Sequence, residues 1–296
     1  MVKIMDIILC GTKSDWFCDN LSKSLNIKSL KVFHKVFPDG ETYIRVPEEV
    51  SGKKVILAHS LSPPQNDSIW ELILILEALR ELDIKEINGY IPYVAYSRQD
   101  KIFLNGEPIS IKALLQILSQ MGMSSIYTID IHKPNTLSYF NGTSYNIIPF
   151  KSMANMIRNM AKHPFVISPD IGALERARRL ANELSTDFDY MEKKRDVYTG
   201  KIEISFHEVN LKDRDVVIVD DIISTGGTVA EAAKKIYSLG AKKVFVAVSH
   251  ALLAGDAINK LKEANVYSVL SANTLPPKSG VIYYDVIPEL AEILKQ

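Results

Sequence analysis

Two stretches of this sequence, about 160 residues apart, run through the same order of apolar segment, loop, helical pattern and apolar segment. In the first stretch, the apolar segments are Lys54–Ser60 and Glu86–Val94. In the second, they are Val216–Asp221 and Lys243–His250. The separation is close to half of the 296 residues, so the sequence predicts a duplicated domain. We place the N-terminal domain at residues 1–146 and the C-terminal domain at residues 147–296.

Apolar segments and helical patterns alternate along the whole chain. Several of the apolar segments are continuous runs, as in strands that are covered on both faces of a parallel sheet. The remaining strand candidates are Asp6–Cys10, Ser125–His132 and Phe165–Pro169. A helical repeat at Ile111, Leu114 and Leu118 follows Ser110, which we expect to be an N-cap. The prediction is an α/β fold of two tandem domains with mostly parallel sheets flanked by helices.

The composition limits the classes of binding partner that we expect for this chain. Lys and Arg number 35, and Asp and Glu also number 35, so the chain has no net charge that would favour nucleic acid or an anionic membrane. No apolar run approaches the roughly 18–20 residues that span a bilayer. The N-terminal segment lacks the features of a signal peptide, and we expect a cytoplasmic protein. The two cysteines, Cys10 and Cys18, have no Cys or His cluster nearby, which favours buried, reduced thiols.

The segment after the strand Val216–Asp221 carries the clearest chemical signal. Asp220 and Asp221 close the strand, and a Ser-, Thr- and Gly-containing loop leads into a helical pattern; the loop residues are Ser224, Thr225, Gly226, Gly227 and Thr228. Glycines let the backbone approach an anion, and the amides of a helix N-terminus donate to it. Carboxylates accept hydrogen bonds from sugar hydroxyls. Together they predict a site for a phosphorylated ribose.

Two other interpretations of this segment were weighed. A glycine turn capped by Ser and Thr, with two exposed acids at a strand end, would need no ligand. A Walker loop is excluded, because no Lys follows the glycines at the spacing that such loops require. The run Asp220–Thr228 resembles instead the phosphoribosyl diphosphate (PRPP) binding motif, which phosphoribosyltransferases share with ribose-phosphate diphosphokinases, also called PRPP synthetases.

The N-terminal half distinguishes these two families. The segment Phe37–Glu41, taken alone, is typical of an ordinary hairpin turn. It is similar, however, to the nucleotide loop of PRPP synthetases. The resemblance implies that Phe37 stacks on adenine and that Asp39 and Glu41 read its amino group.

A second ATP segment follows the strand Glu86–Val94. It contains Arg98, Gln99, Asp100 and Lys101, and its basic residues could hold triphosphate oxygens. A solvated polar loop is the alternative. The segment resembles the Arg-Gln-Asp motif of PRPP synthetases, which continues here through Gly106–Ser110. The short stretch between Gln99 and Gly106 is similar to that of archaeal-type members.

Three further segments follow the order of the same family. His132 lies in an Asp-x-His segment, and the resemblance implies contact with the magnesium–ATP unit. Asp170 ends the segment Ser168–Asp170 and is the firmer candidate for Mg²⁺, which prefers oxygen. The charged run Glu192–Asp196 stands where the family has a loop that closes over the transferring phosphates, which implies catalytic roles for Lys193 and Arg195.

The resemblance covers nearly the whole chain and implies two phosphoribosyltransferase-like domains that bind ATP and ribose 5-phosphate and meet at a cleft. The implied reaction transfers the β,γ-diphosphate of ATP to the 1-hydroxyl of ribose 5-phosphate, giving PRPP and AMP, with Mg²⁺ as cofactor and a homo-oligomeric enzyme. Two alternatives remain. One is a phosphoribosyltransferase that uses PRPP, and the other is a non-catalytic paralogue that regulates an active synthetase.

Overall fold

The computed structural model describes residues 5–195, 202–205 and 209–294, and for residues 193–195 and 202–205 it describes the backbone alone. The chain divides into two compact units. The first comprises Met1–Ile148, Thr274–Pro276 and Ile287–Gln296, and the second comprises Pro149–Asn273 and Pro277–Val286. The C-terminal segment therefore belongs with the first unit, although we had assigned it to the second domain.

The first unit contains six parallel strands, a hairpin and three helices before residue 148. In chain order these elements are β1 (Ile7–Cys10), α1 (Cys18–Leu25), β2 (Ser29–Lys31), β3 (Phe33–Val36), β4 (Thr42–Arg45), β5 (Lys54–Ala58), α2 (Gln65–Arg80), β6 (Glu86–Tyr90), α3 (Ser110–Gln120), β7 (Met123–Ile129) and β8 (Thr143–Ile147).

The second unit has a matching set of elements. They are α4 (Phe150–Met160), β9 (Phe165–Ser168), α5 (Leu174–Leu184), β10 (Phe188–Tyr190), β11 (Glu192–Arg195), β12 (Ile202–Ser205), β13 (Asp215–Ile223), α6 (Gly227–Ser238), β14 (Lys243–Ala251), α7 (Ala257–Glu263), β15 (Ser268–Ala272) and β16 (Val281–Tyr284). A last helix, α8 (Ile287–Leu294), returns to the first unit and packs on α1.

The two main sheets share one topology. The first has the order β2-β1-β5-β6-β7-β8, and the second has the order β10-β9-β13-β14-β15-β16. Every neighbouring pair in both sheets is parallel. In both units the second strand along the chain lies at the edge beside the first, and the remaining strands follow in chain order. The predicted α/β fold of two duplicated domains with parallel sheets is confirmed.

Each unit also inserts a small antiparallel pair at the same point of its topology. Along the chain, the pair β3–β4 lies between β2 and β5 of the first sheet, and the pair β11–β12 lies between β10 and β13 of the second. The sequence repeat did not predict these pairs. Their strands are short, and the side chains of β3 are exposed, so no apolar run marks them.

Several strands end earlier than their apolar runs predict. The run Lys54–Ser60 is a strand only to Ala58, and the run Glu86–Val94 is a strand only to Tyr90. The residues that follow are still buried, although they no longer pair along the sheet. Hydrophobicity therefore reports burial beyond the point where β structure stops.

The cysteines do not behave as predicted. Cys10 and Cys18 form a disulfide, with their Cα atoms 6.0 Å apart. Cys10 ends β1 and Cys18 begins α1, and the intervening loop turns the chain back on itself. The prediction of reduced thiols is wrong, because spacing in the sequence carries no information about this turn. Among the residues that the structure describes, no helix is long and apolar enough to cross a membrane.

Candidate active site

Strand β13 brings two carboxylates to the carboxyl-terminal edge of the second sheet. Its residues Val216–Val219 are fully buried between β9 and β14, and Asp220 and Asp221 follow directly. The strand continues to Ile223, two residues beyond the predicted end. Ligands of open parallel sheets bind outside this edge, which places both acids where the sequence analysis expects a ribose.

The loop after β13 ends in a helix N-terminus. Helix α6 begins at Gly227, so Gly227 and Thr228, expected to be loop residues, form its first turn. Gly226 precedes the helix with φ of +74°, a conformation that favours glycine. The amides of Leu253 and Ala254 donate hydrogen bonds to the carbonyls of Ile223 and Ser224, at 3.1 and 2.9 Å. The loop is thus anchored, and the amides of the first turn of α6, which have no partner within the helix, are suited to bind an anion.

The pKa of Asp220 is strongly shifted by its surroundings. Burial raises its pKa well above the ordinary value of 3.8, and the neighbouring carboxylate of Asp221 raises it further. The backbone amide of Asp221 and the guanidinium of Arg176, on α5, act in the opposite direction. A carboxylate held in this way gains from any ligand that donates hydrogen bonds to its ionised form. Sugar hydroxyls are such donors.

Asp170 lies at the same edge of the second sheet. It follows β9, the neighbour of β13, and its Oδ1 accepts a hydrogen bond of 3.2 Å from the amide of Ala173. The carboxylate is exposed to solvent. No group of three His, Cys, Asp or Glu side chains suited to a metal occurs among the described residues. Mg²⁺ commonly uses one or two carboxylates together with water and substrate phosphates, so an exposed carboxylate oxygen at Asp170 fits that ion.

The basic residues expected to act in catalysis lie on β11. Lys193 pairs with Ile204 and Arg195 pairs with Ile202 along the backbone, so a run expected to be a loop begins as a strand. Their side chains, and the whole of Asp196, lie outside the described part of the structure.

The first unit uses the corresponding positions differently. By strand register, His59 and Ser60 stand where the second unit has Asp220 and Asp221. Nε2 of His59 lies 2.9 Å from the carbonyl of Ser68, and burial lowers the pKa of this His to about 4. The hydroxyl of Ser60 donates to the carbonyl of Thr274 at 2.7 Å. These side chains support packing, and the acid pair belongs to the second unit alone.

The predicted nucleotide loop is the turn of the β3–β4 hairpin. The amide of Phe37 donates to the carbonyl of Glu41 at 2.8 Å, and the amide of Glu41 donates to Oδ1 of Asp39 at 3.1 Å. The ring of Phe37 is 38% exposed, and the ring of Tyr43 packs edge-on against it with centroids 6.2 Å apart. An exposed ring held at its edge can stack on a base.

The segment Arg98–Lys101 forms a turn beyond β6. The amide of Gln99 donates to the carbonyl of Tyr96 at 3.0 Å, and Arg98 and Lys101 are exposed. The predicted N-cap at Ser110 is wrong. This residue is the first of α3, and its hydroxyl donates to Oε1 of Gln99 at 2.6 Å, which fixes the Gln99 side chain instead.

His132 follows β7, the strand next to β6, and is half-buried. The amide of Ile91, just after β6, donates to the carbonyl of Tyr127 on β7. The segments Arg98–Lys101 and Asp130–His132, both predicted to bind ATP, therefore follow adjacent strands at one edge of the first sheet. His132 and Asp170, both proposed for the metal, belong to different units.

Comparison with known proteins agrees with this division. Residues 7–122 match the model of the N-terminal domain of ribose phosphate pyrophosphokinase, and residues 150–282 match that of the phosphoribosyl transferase domain. The ribose-phosphate pyrophosphokinase of Saccharolobus solfataricus is 44% identical over 287 residues, which cover 96% of this chain and 99% of the relative. The chain belongs to the ribose-phosphate pyrophosphokinase family. The family predicted from the sequence is confirmed.

Other members extend this result. The ribose-phosphate pyrophosphokinase of Pyrococcus furiosus is 40% identical over 260 residues, covering 88% of this chain and 91% of the relative. The crystal structure of phosphoribosylpyrophosphate synthetase from Mycobacterium smegmatis superposes with a TM-score of 0.87 at 25% identity, covering 98% of this chain and 97% of that structure. The duplicated fold described above is thus shared with a solved member of the family.

Two residues near the candidate sites were missed in the sequence. Arg176 was not considered, although it stands in an arginine-rich helix directly after Asp170. Glu71 was also missed, although an acid within the apolar run of α2 is an available signal.

Proposed function

We propose that this protein is a ribose-phosphate diphosphokinase, which transfers the β,γ-diphosphate of ATP to the 1-hydroxyl of ribose 5-phosphate and releases AMP. The observation that carries the proposal is the asymmetry between two otherwise equal sheets. Near the end of β13 the second unit has the acid pair Asp220 and Asp221 and a glycine-containing loop, whereas at the equivalent positions just after β5 the first unit buries His59 and Ser60. Family membership over both units supports the same reaction.

The second unit would bind the acceptor. Asp220 and Asp221 would accept hydrogen bonds from the ribose hydroxyls. The 5-phosphate would lie against the amides at the start of α6 and the hydroxyls nearby; the residues of this loop are Ser224, Thr225, Gly226, Gly227 and Thr228. Binding through the ribose hydroxyls and the 5-phosphate would leave the 1-hydroxyl available for attack.

The first unit would bind the donor. Arg98 and Lys101 would hold triphosphate oxygens, and Gln99, fixed by Ser110, would hydrogen-bond the nucleotide. Asp100 and His132 would complete the site around the phosphates. The hairpin turn would supply base contacts, with Phe37 stacking on adenine and Asp39 and Glu41 accepting from its amino group.

In the chemical step, the 1-hydroxyl oxygen attacks the β-phosphorus of ATP. The bond from the α,β-bridging oxygen to that phosphorus breaks, the hydroxyl proton is lost, and AMP leaves. Lys193 and Arg195 would neutralise the charge that develops on the transferring group. Mg²⁺ would be held by the carboxylate of Asp170, with His132 as the second candidate contact, and when bound it neutralises phosphate charge.

We further propose a homo-oligomer. The β3–β4 hairpin exposes four large apolar side chains, and exposed apolar patches mark surfaces that bind other molecules; they are Phe33, Val36, Phe37 and Tyr43. A second copy of the chain is the partner that the family prediction favours. A cytoplasmic location, where ATP is available, remains part of the proposal; a disulfide such as Cys10–Cys18 is compatible with it, because intracellular proteins of hyperthermophiles can contain disulfides.

One assay separates the proposal from its alternatives. Purified protein is supplied with ATP, Mg²⁺ and ribose 5-phosphate, and AMP and PRPP are quantified. The proposal predicts both products in equal amounts. A phosphoribosyltransferase would leave ATP intact and consume added PRPP with a base, and a non-catalytic paralogue would form neither product under any phosphate or metal concentration.

A further inference from the structure

Glu71 carries a buried carboxylate that the proposed mechanism does not use. It stands on α2 and is 3% exposed. The hydroxyl of Thr12 donates to its Oε2, and Nζ of Lys13 lies 3.8 Å from the same atom. On its other side, Nε2 of His34 lies 3.4 Å from Oε1. Because a buried carboxylate is costly unless it is paired, these three contacts together account for its presence in the interior.

Two of these partners belong to a rigid part of the first unit. Thr12 and Lys13 stand in the loop between β1 and α1, which the Cys10–Cys18 disulfide closes. Inside this loop, the hydroxyl of Ser14 donates to the carbonyl of Gly11 at 2.7 Å. Helix α2 itself is held by its buried apolar face. The carboxylate of Glu71 is therefore fixed from the loop side and from its own helix.

The third partner, His34, lies on β3 of the β3–β4 hairpin, whose turn is the proposed nucleotide loop. Within the described chain, β3 and β4 pair with each other and with no strand of the main sheets. His34 lies three residues before Phe37, on the face opposite to Phe33 and Lys35, since successive residues of a strand alternate. Lys35 and Tyr43 contact the ring of Phe37, so the stacking face and the anchoring face are distinct.

The hairpin also packs on α2 through β4, and a cavity lies beside that contact. The cavity, of about 610 Å³, lies between the hairpin and the C-terminal end of α2; the hairpin contributes Phe33, Ile44 and Arg45 to the lining, α2 contributes Ala78, and the residues after the helix contribute Glu81 and Leu82. The contact between His34 and Glu71 therefore adds a polar link between the hairpin and α2.

We propose that Glu71 is a positioning residue for the nucleotide, acting through His34 on the β3–β4 hairpin. The proposal rests on the nucleotide role of Phe37, Asp39 and Glu41 given above. Glu71 touches neither substrate. Its carboxylate contacts both the hairpin and the disulfide-closed loop. These contacts fix the positions of the Phe37 ring and of the acidic turn before ATP binds. Without this link the hairpin samples other positions, and ATP binds only the fraction that is correctly placed.

The test separates ATP binding from turnover. Steady-state kinetics are measured for Glu71→Gln and His34→Ala with ATP and ribose 5-phosphate varied in turn. Loss of the contact between His34 and the buried carboxylate predicts a rise of about tenfold in the KM for ATP. The kcat and the KM for ribose 5-phosphate should stay within about twofold of the parent values, since the transferring group and the acceptor are not touched.

Two variants serve as controls. His34→Gln keeps a donor of similar reach and should restore the KM for ATP to within about twofold of the parent value. Glu77→Gln removes a carboxylate from the same helix, but from an exposed pair with Arg80, and should leave all three constants unchanged.

Phe37→Ala distinguishes failure of this inference from failure of the proposed function. If Phe37→Ala raises the KM for ATP while Glu71→Gln and His34→Ala leave it unchanged, the positioning role is wrong and the nucleotide loop stands. If Phe37→Ala has no effect, the nucleotide role of the hairpin is wrong. A fall in kcat with an equal rise in both KM values, together with a lower thermal midpoint, would assign Glu71 a purely structural role and overturn the inference.

Discussion

The backbone amide of Asp221 donates a hydrogen bond of 2.9 Å to Oδ1 of Asp220, its neighbour on β13. This bond favours the ionised form of Asp220, whereas burial and the Asp221 carboxylate favour the protonated form and raise its pKa. The balance leaves Asp220 destabilised when it is ionised and no ligand is bound. Hydrogen bonds from ribose hydroxyls would stabilise the ionised carboxylate and offset that cost, so the burial of Asp220 would favour binding of a sugar.

Asp220→Asn should therefore stabilise the protein near neutral pH while abolishing its activity. Folding raises the pKa of Asp220, so the folded state holds this proton more tightly than the unfolded chain. Stability is then lost as pH rises from the ordinary value of 3.8 through the raised value. Thermal unfolding should show a midpoint above the parent at about pH 7, by roughly 2–4 °C for each kcal/mol relieved, and a smaller gain at about pH 4.5. A lower midpoint at neutral pH would contradict the assignment.

The two glycines before α6 should respond differently to alanine. Gly226 has a positive φ, and an added Cβ would lie 3.3 Å from the carbonyl oxygen of Ala257. Gly226→Ala should lower the free energy of unfolding by about 1–2 kcal/mol. Gly227 has open space around its Cβ position, so Gly227→Ala should leave stability nearly unchanged. Equal destabilisation in chemical denaturation would contradict this account of the loop.

Removal of the Cys10–Cys18 disulfide should destabilise the first unit. Closing a loop of this length is worth about 2–3 kcal/mol in the chain-entropy account. A reducing agent should lower the thermal midpoint of the parent, whereas the double variant Cys10→Ser/Cys18→Ser should be insensitive to it. Titration of the unreduced, denatured parent should find no free thiol. Two reactive thiols in that titration would show that the bond does not form.

Lys193→Ala should lower kcat by about 100-fold or more, because its charge is needed when the transferring group develops charge. The KM for ribose 5-phosphate should change far less. Lys194→Ala, at the next position of β11, is the matched control and should retain most activity. Equal losses in kcat and in acceptor affinity would remove Lys193 from the transition state.

The architecture could be predicted from the sequence because the same pattern of apolar runs and helices occurs twice. Apolar runs at Lys54–Ser60 and Val216–Asp221 each begin a strand, and their flanking helices recur at the same separation. The strand ends were less predictable, since burial continues past Ala58 and Tyr90 where pairing stops. The hairpin β3–β4 could not be found by hydrophobicity, because the residues of β3 are exposed and those of β4 are at most partly buried.

The part of the candidate site that is formed by consecutive residues could be predicted from the sequence. Asp220–Thr228 reads as strand, acids, loop and helix, and the structure keeps that order. Contacts between distant segments were not predictable. The bond between Ser110 and Gln99, the disulfide, and the approach of His34 to Glu71 all depend on tertiary folding. Periodicity reports which face of an element is buried and says nothing about which polar partner it meets.

The most direct test follows the oxygen of the acceptor. Ribose 5-phosphate carrying ¹⁸O in its 1-hydroxyl is incubated with the protein, ATP and Mg²⁺, and the products are analysed by mass spectrometry and ³¹P NMR. The account predicts PRPP that retains the label in the bond between C1 and the β-phosphorus, with an equal amount of unlabelled AMP. Formation of ADP, label in AMP, or no product at all would contradict the attack of the 1-hydroxyl on the β-phosphorus.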